Sequence, residues 1–154
     1  MTSLCCDVLE ALRGKSLVTA ESITGGGIGA ALTAVSGSSA VYKGGVISYC
    51  DDVKHRILGV EAQLLEQVGA VSAPVARAMA EGVRQRLEAD VAVSVTGLAG
   101  PGGDAYGNPL GTVFIGYADS RGTKVRECHF TGTREEIRRC AIMGALEFIL
   151  DENR

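Results

Sequence analysis

Apolar positions recur along this chain with two periods, and the two alternate. Leu4, Cys5, Val8, Leu9 and Leu12 share one face of a helix, with Gly14 placed for its C-terminal turn. Ser16 to Ala20 reads as a short buried strand running into Glu21-Ser22-Ile23-Thr24-Gly25-Gly26-Gly27, after which Ile28, Ala31, Leu32 and Val35 restore the helical stripe. Ser36 to Ser39 is a loop. Val41 to Tyr49 reads as a strand whose glycines predict a bulge or a close backbone approach. Short helices are expected over Asp51 to Leu58 and Glu61 to Val68. A longer one opens at Pro74, with Val75, Ala78, Met79, Gly82 and Val83 inward and Arg77, Glu81, Arg84 and Gln85 outward.

Ala89 to Val95 is a compact apolar strand ending in Thr96-Gly97, followed by a long aperiodic glycine-rich loop to Pro109. Val113 to Ala118 and Lys124 to Phe130 flank the turn Asp119-Ser120-Arg121-Gly122 and predict an antiparallel hairpin. Thr133 with Glu136 spells a capping box. Behind it Ile137, Cys140, Ala141, Gly144, Ala145, Phe148 and Ile149 form the inward face of a last helix. This alternation predicts an α/β fold, a three-layer α/β/α sandwich with a mixed, mainly parallel sheet, as one domain over residues 1–154.

Composition narrows the class. The net charge of −3 provides no basic field for nucleic acid or a membrane surface, and no apolar run is long enough to span a bilayer. Met1-Thr2-Ser3-Leu4 lacks the basic and apolar regions of a secretory leader. Cys5, Cys6, Cys50, Cys128 and Cys140 are odd in number and contain no Cys-x-x-Cys, which fits free thiols in a cytoplasmic protein. His55 and His129 have no metal-ligand spacing to one another or to the cysteines, so no metal is expected.

Candidate chemistry gathers at the strand ends, where open α/β sheets place their sites. Ser22 stands between a strand and a glycine-rich helix start, and the N–H groups of Thr24 to Gly27 are expected to face whatever precedes that helix. Position alone also allows Ser22 and Thr24 to be plain helix caps. A serine nucleophile needs a base. Lys54 suits this role better than either histidine: beside a serine in a partly desolvated site, an amine loses proton affinity. Its alternative is a solvated side chain on a short helix. Tyr49 stands close by, placed either to orient the amine or to donate to a leaving group. Thr96 and Gly97 begin the second glycine-rich loop near the same rim. Arg134, Arg138 and Arg139 cluster at the start of the last helix, where an arginine can grip a phosphate; Arg139 is equally placed to pair with Glu135. A dinucleotide fingerprint at Thr24 to Gly29 is set aside, because the Tyr49–Lys54 spacing and the missing acidic residue after the second strand do not fit a dehydrogenase. A P-loop is excluded because no Gly-Lys-Ser/Thr follows the glycines.

Ala20-Glu21-Ser22-Ile23-Thr24-Gly25-Gly26, Gly37-Ser38-Ser39, Ser48-Tyr49 with Lys54, Ile57-Leu58-Gly59-Val60, Gly69-Ala70-Val71-Ser72, Thr96-Gly97-Leu98-Ala99-Gly100-Pro101-Gly102-Gly103, Pro109-Leu110-Gly111-Thr112-Val113 and Phe130-Thr131-Gly132-Thr133-Arg134 together resemble the CinA C-terminal family, in the right order over roughly residues 4 to 150. The resemblance implies an amidohydrolase that deamidates nicotinamide mononucleotide to nicotinic acid mononucleotide and ammonia. It also implies a homo-oligomer and a small-molecule nucleotide substrate, with no cofactor or metal. Carried over by position, Ser22 is the nucleophile, Lys54 its base and Tyr49 a supporting group. Thr24, Gly25, Gly26, Ser39, Thr96 and Gly97 bind substrate, and Arg134 or Arg138 takes the phosphate. Cys50-Asp51 departs from the family's usual Ser-Asn after the tyrosine, and Ile23 stands where a cysteine is common. The rival of another class is a non-catalytic module that binds or senses a nucleotide through the same turns.

Overall fold

The computed structural model describes residues 1–154. Its elements in chain order are α1 (Thr2–Ala11), β1 (Leu17–Glu21), α2 (Gly27–Thr33), a 3-10 turn over Ser38–Ala40, β2 (Tyr42–Ile47), α3 (Asp51–Arg56), α4 (Ala62–Val68), α5 (Ala73–Arg86), β3 (Val91–Gly97), β4 (Thr112–Asp119), β5 (Gly122–His129) and α6 (Arg134–Glu152). The strands form one five-stranded sheet in the order β2-β1-β3-β4-β5. β2, β1 and β3 run parallel, while β4 and β5 add an antiparallel hairpin to the β3 edge.

Side-chain alternation sends successive strand residues into two cores. Leu17, Val91, Val93, Val95, Val113, Ile115 and Tyr117 pack under α1, α2 and α6. Val18, Ala20, Ala92 and Ala118 pack under α4 and α5 with Leu58, Val60, Met79 and Val83. The sheet is thus covered on both faces, which is why all five residues of β1 are buried. On α5 the inward stripe includes Ala76 and Ala80, and Ala78 is only half-buried.

The α5 face of the sheet is built from small residues, and α5 sits close to it. Ser94 Oγ donates to the Ala76 carbonyl at 2.6 Å. A methyl group at Gly116 would lie 2.5 Å from that carbonyl and from Ser94 Oγ. Gly116→Ala is therefore expected to destabilise the fold by about 2 kcal/mol through overpacking, read as a lower denaturation midpoint at unchanged slope.

The glycines of β2 do both things expected of them. The register against β1 shifts between the pairs Leu17–Tyr42 and Val18–Gly44, a bulge centred on Lys43. At Gly45, a Cβ would stand 2.2 Å from Thr19 Oγ1. The capping box of α6 is formed, with Glu136 N–H donating to Thr133 Oγ1 and Thr133 N–H to Glu136 Oε1. It fixes the first turn of α6, and hence Arg134, beside the sheet's C-terminal rim. No helix is long and apolar enough to cross a membrane.

Candidate active site

The parallel strands end together, and their last residues open a cleft of about 320 Å³. Ser22 follows β1, Tyr49 follows β2, and Thr96 and Gly97 close β3. Asp51 and Lys54 come from α3, the wall opposite is the loop through Gly100 to Gly103, and Arg134 reaches in from α6. The strand order explains the place: β1 connects to β2 on one side and β2 returns across it to β3, so the crossovers diverge at the ends of β1 and β3. A wider hollow of about 610 Å³ lies between α5 and the β4–β5 turn. Its Arg121 is already paired with Asp119 at 2.6 Å, and it contains no comparable arrangement of nucleophile and base.

The side chains of Ser22 and Lys54 meet at the floor of the cleft. Lys54 is 1% exposed and Ser22 is 7% exposed. Lys54 Nζ lies 3.0 Å from Ser22 Oγ, 2.8 Å from the Ser48 carbonyl and 3.2 Å from the Tyr49 carbonyl. As placed, Lys54 Nζ donates to all three oxygens, which satisfies an ammonium; once deprotonated, the amine keeps two N–H donors for the two carbonyls and has a lone pair for the Ser22 hydroxyl proton. Burial pushes the Lys54 amine below the usual lysine range, against the smaller opposing pull of Asp51 and Cys50. Ser22 Oγ also lies 3.5 Å from the Tyr49 carbonyl.

The turn after Ser22 is arranged differently from the sequence expectation. Glu21, 2% exposed, folds its carboxylate over the start of α2. Oε1 accepts from Thr24 Oγ1 (2.7 Å) and Ile28 N–H (2.8 Å), and Oε2 from Gly29 N–H (3.1 Å) and Thr19 Oγ1 (3.1 Å). The helix N-terminus is thereby satisfied within the chain. Gly25 N–H is used by the Ser22 carbonyl and Gly27 N–H by the Thr24 carbonyl. The hydrogen bonds of this segment leave the N–H groups of Ile23, Thr24 and Gly26 without an acceptor, the first two directly after the serine.

Of the residues expected at the site, Ser22, Tyr49, Lys54, Thr96, Gly97 and Arg134 line one cleft. The others stand elsewhere. Thr24 turns its hydroxyl inward to Glu21, and Gly25 and Gly26 form the left-handed corner that leads into α2, outside the cleft lining. Ser39 is exposed on the 3-10 turn before β2. That is the opposite end of the parallel strands, one strand length of roughly 17–20 Å away. Arg138 is half-buried and spends its guanidinium on the carbonyls of Ile23 (3.0 Å) and Thr24 (3.2 Å), bracing the serine turn from behind. Arg134 donates to the Gly100 carbonyl at 2.6 Å and to Tyr49 Oη at 3.3 Å, across the cleft mouth. Tyr49 thus serves Lys54 through its carbonyl, while its ring is 64% exposed.

Sequence reasoning missed three contributors: the Glu21 carboxylate, the Ser48 carbonyl and Asp51. Glu21 carried a signal, since an acid directly before a serine–glycine turn is placed to cap the helix that follows. Backbone carbonyls carry none.

The comparisons agree with this architecture. The model of the CinA C-terminal domain matches residues 2–152. A CinA-like protein of Prochlorococcus marinus (strain MIT 9313) is 51% identical over 130 residues, 83% of this chain and 30% of that protein. One of Geobacter metallireducens is 46% identical over 136 residues, 88% of this chain and 33% of that protein. The chain thus spans about a third of the length of these relatives. Among solved structures, a competence-damaged protein (CinA) superfamily protein from Klebsiella pneumoniae 700603 superposes with a TM-score of 0.95 at 34% identity, covering 98% of this chain and 96% of that one. A competence/damage-inducible protein from Agrobacterium tumefaciens gives 0.95 at 38%, covering 99% and 95%. With fold, motif order and both ends of the match in agreement, the chain belongs to the CinA C-terminal domain family.

Proposed function

We propose that this chain is an amidohydrolase that deamidates nicotinamide mononucleotide, with Ser22 as nucleophile and Lys54 as its base. The observation that carries the reading is the 3.0 Å contact between Ser22 Oγ and a buried lysine amine whose other partners are two carbonyls. A lysine kept for stability alone would be expected to pair with a carboxylate or reach solvent.

In this reading Lys54 takes the hydroxyl proton as Ser22 Oγ attacks the carboxamide carbon. The carbonyl oxygen becomes an oxyanion, and the free N–H groups of Ile23 and Thr24 are the donors nearest to where it forms. The intermediate collapses as Lys54 hands its proton to the amide nitrogen, and ammonia leaves. Water, deprotonated by the same amine, then cleaves the acyl ester, and the proton returns to Ser22 Oγ as the carboxylate product departs.

Arg134 is the phosphate partner in this proposal, since Arg138 is committed to the serine turn. Release of its two present acceptors frees the guanidinium for a bidentate anion contact. Arg134→Ala is expected to raise KM for nicotinamide mononucleotide about tenfold or more, with little change for nicotinamide riboside, which lacks the phosphate. Steady-state ammonia release with both substrates checks this. The primary test is ammonia release from nicotinamide mononucleotide by the purified protein. Binding without ammonia would favour the non-catalytic nucleotide-binding module instead.

A further inference from the structure

Besides the Lys54 amine, the cleft lining contains two charged groups, Asp51 and Arg134. Once Lys54 is a free base, the cleft presents one fixed cation and one fixed anion. Arg134 has acceptors within the chain, but Asp51 enters no ion pair, whereas its neighbour Asp52 is tied to Arg56 at 2.7 Å. Both aspartates lie in the first turn of α3, so Asp52 already supplies the negative charge that a helix start favours. Asp51 also works against the base: its charge raises the proton affinity of Lys54. A group that opposes the chemistry of its own site calls for a compensating use.

We infer that Asp51 is the charge-selecting residue of the cleft, favouring a carboxamide on a cationic, N-substituted pyridinium ring over the same carboxamide on a neutral ring. This rests on the cleft being the amide site proposed above, and it defines the substrate class by charge: an amide whose ring is positive and whose far end is negative. The carboxylate faces the ring's charge while Arg134 takes the anion, so both charged ends of one zwitterion are matched. A neutral ring gains nothing from Asp51 and loses solvation of the carboxylate.

The test uses Ser22→Ala protein, so that binding is read without turnover. Calorimetry compares nicotinamide mononucleotide with its dihydro form, which carries the same amide, ribose and phosphate on an uncharged ring. The oxidised form is expected to bind about fivefold more tightly, the scale of one solvent-screened charge pair. Adding Asp51→Asn brings the two within about twofold by weakening the oxidised form alone, and Asp51→Glu keeps the preference. In protein with Ser22 intact, Asp51→Asn also moves the acid limb of kcat/KM to lower pH, because the anion that favours the Lys54 ammonium is gone. Equal affinities for the two rings with Asp51 in place, or equal weakening of both by Asp51→Asn, overturn the role of Asp51 and leave the deamidase reading standing. Binding of neither ring form by the Ser22→Ala protein overturns both.

Discussion

Ser22→Ala is expected to lower kcat for ammonia release from nicotinamide mononucleotide by about 10⁴-fold or more, with substrate affinity nearly unchanged. The hydroxyl is the only atom removed, and it lies in the cleft floor with one side toward Lys54 and the other toward solvent. Without it, the Lys54 lone pair loses its proton donor and the carboxamide loses its nucleophile, so the acyl-enzyme does not form. In the proposed reading binding is carried by other groups, chiefly Arg134 at the cleft mouth. Single-turnover ammonia measurement beside calorimetric binding separates the two quantities, and a variant that retained the full rate would remove Ser22 from the chemistry. Mass spectrometry of wild-type protein quenched during turnover is expected to show the nicotinoyl adduct on the Ser22 peptide and none in the variant.

Lys54→Met removes the amine while keeping the apolar stem, and is expected to lower kcat by about 10³-fold or more. The serine would remain but with no group to take its proton. The same change leaves the Ser48 and Tyr49 carbonyls without their donor in a buried place, so stability falls by about 1–3 kcal/mol. The pH dependence separates the two effects. In wild-type protein kcat/KM is expected to rise with pH as the Lys54 ammonium loses its proton, because only the free amine has a lone pair. Burial brings that rise below the usual lysine range. In Lys54→Met the limb disappears, whereas a merely destabilised enzyme would keep it.

Much of this arrangement was legible in the chain because it is encoded locally. The glycine turn after Ser22, the capping box at Thr133 and Glu136, and the hairpin around Asp119 to Gly122 rest on residues a few positions apart. Strand limits were read within a residue or two: Ser16 to Ala20 for Leu17–Glu21, and Ala89 to Val95 for Val91–Gly97. Thr96 and Gly97 therefore belong to β3 itself, and its last residues pair with β4. Where the reading went astray, another interaction had taken over a group that looked available. Of the donors expected at Thr24 to Gly27, two were consumed by nearby carbonyls, Gly25 N–H by Ser22 and Gly27 N–H by Thr24. The Arg138 guanidinium was consumed by carbonyls 115 and 114 positions away in the chain. Ser39 belongs to one of the segments that carry the family resemblance, but strand direction places it at the far end of the sheet from the cleft.

The sequence alone determined which elements form and in what order, since hydrophobic period, glycine placement and capping act over one or two turns of chain. It also determined the reactive groups available, a serine at a strand end and a lysine on the helix after β2. Only the tertiary structure decided that these two groups, 32 positions apart, share a hydrogen bond. That follows from β2 lying parallel to β1 and from two carbonyls after β2 that hold the amine. The lowered proton affinity of Lys54 comes from burial, which no local pattern specifies, because desolvation depends on every element packed around the group.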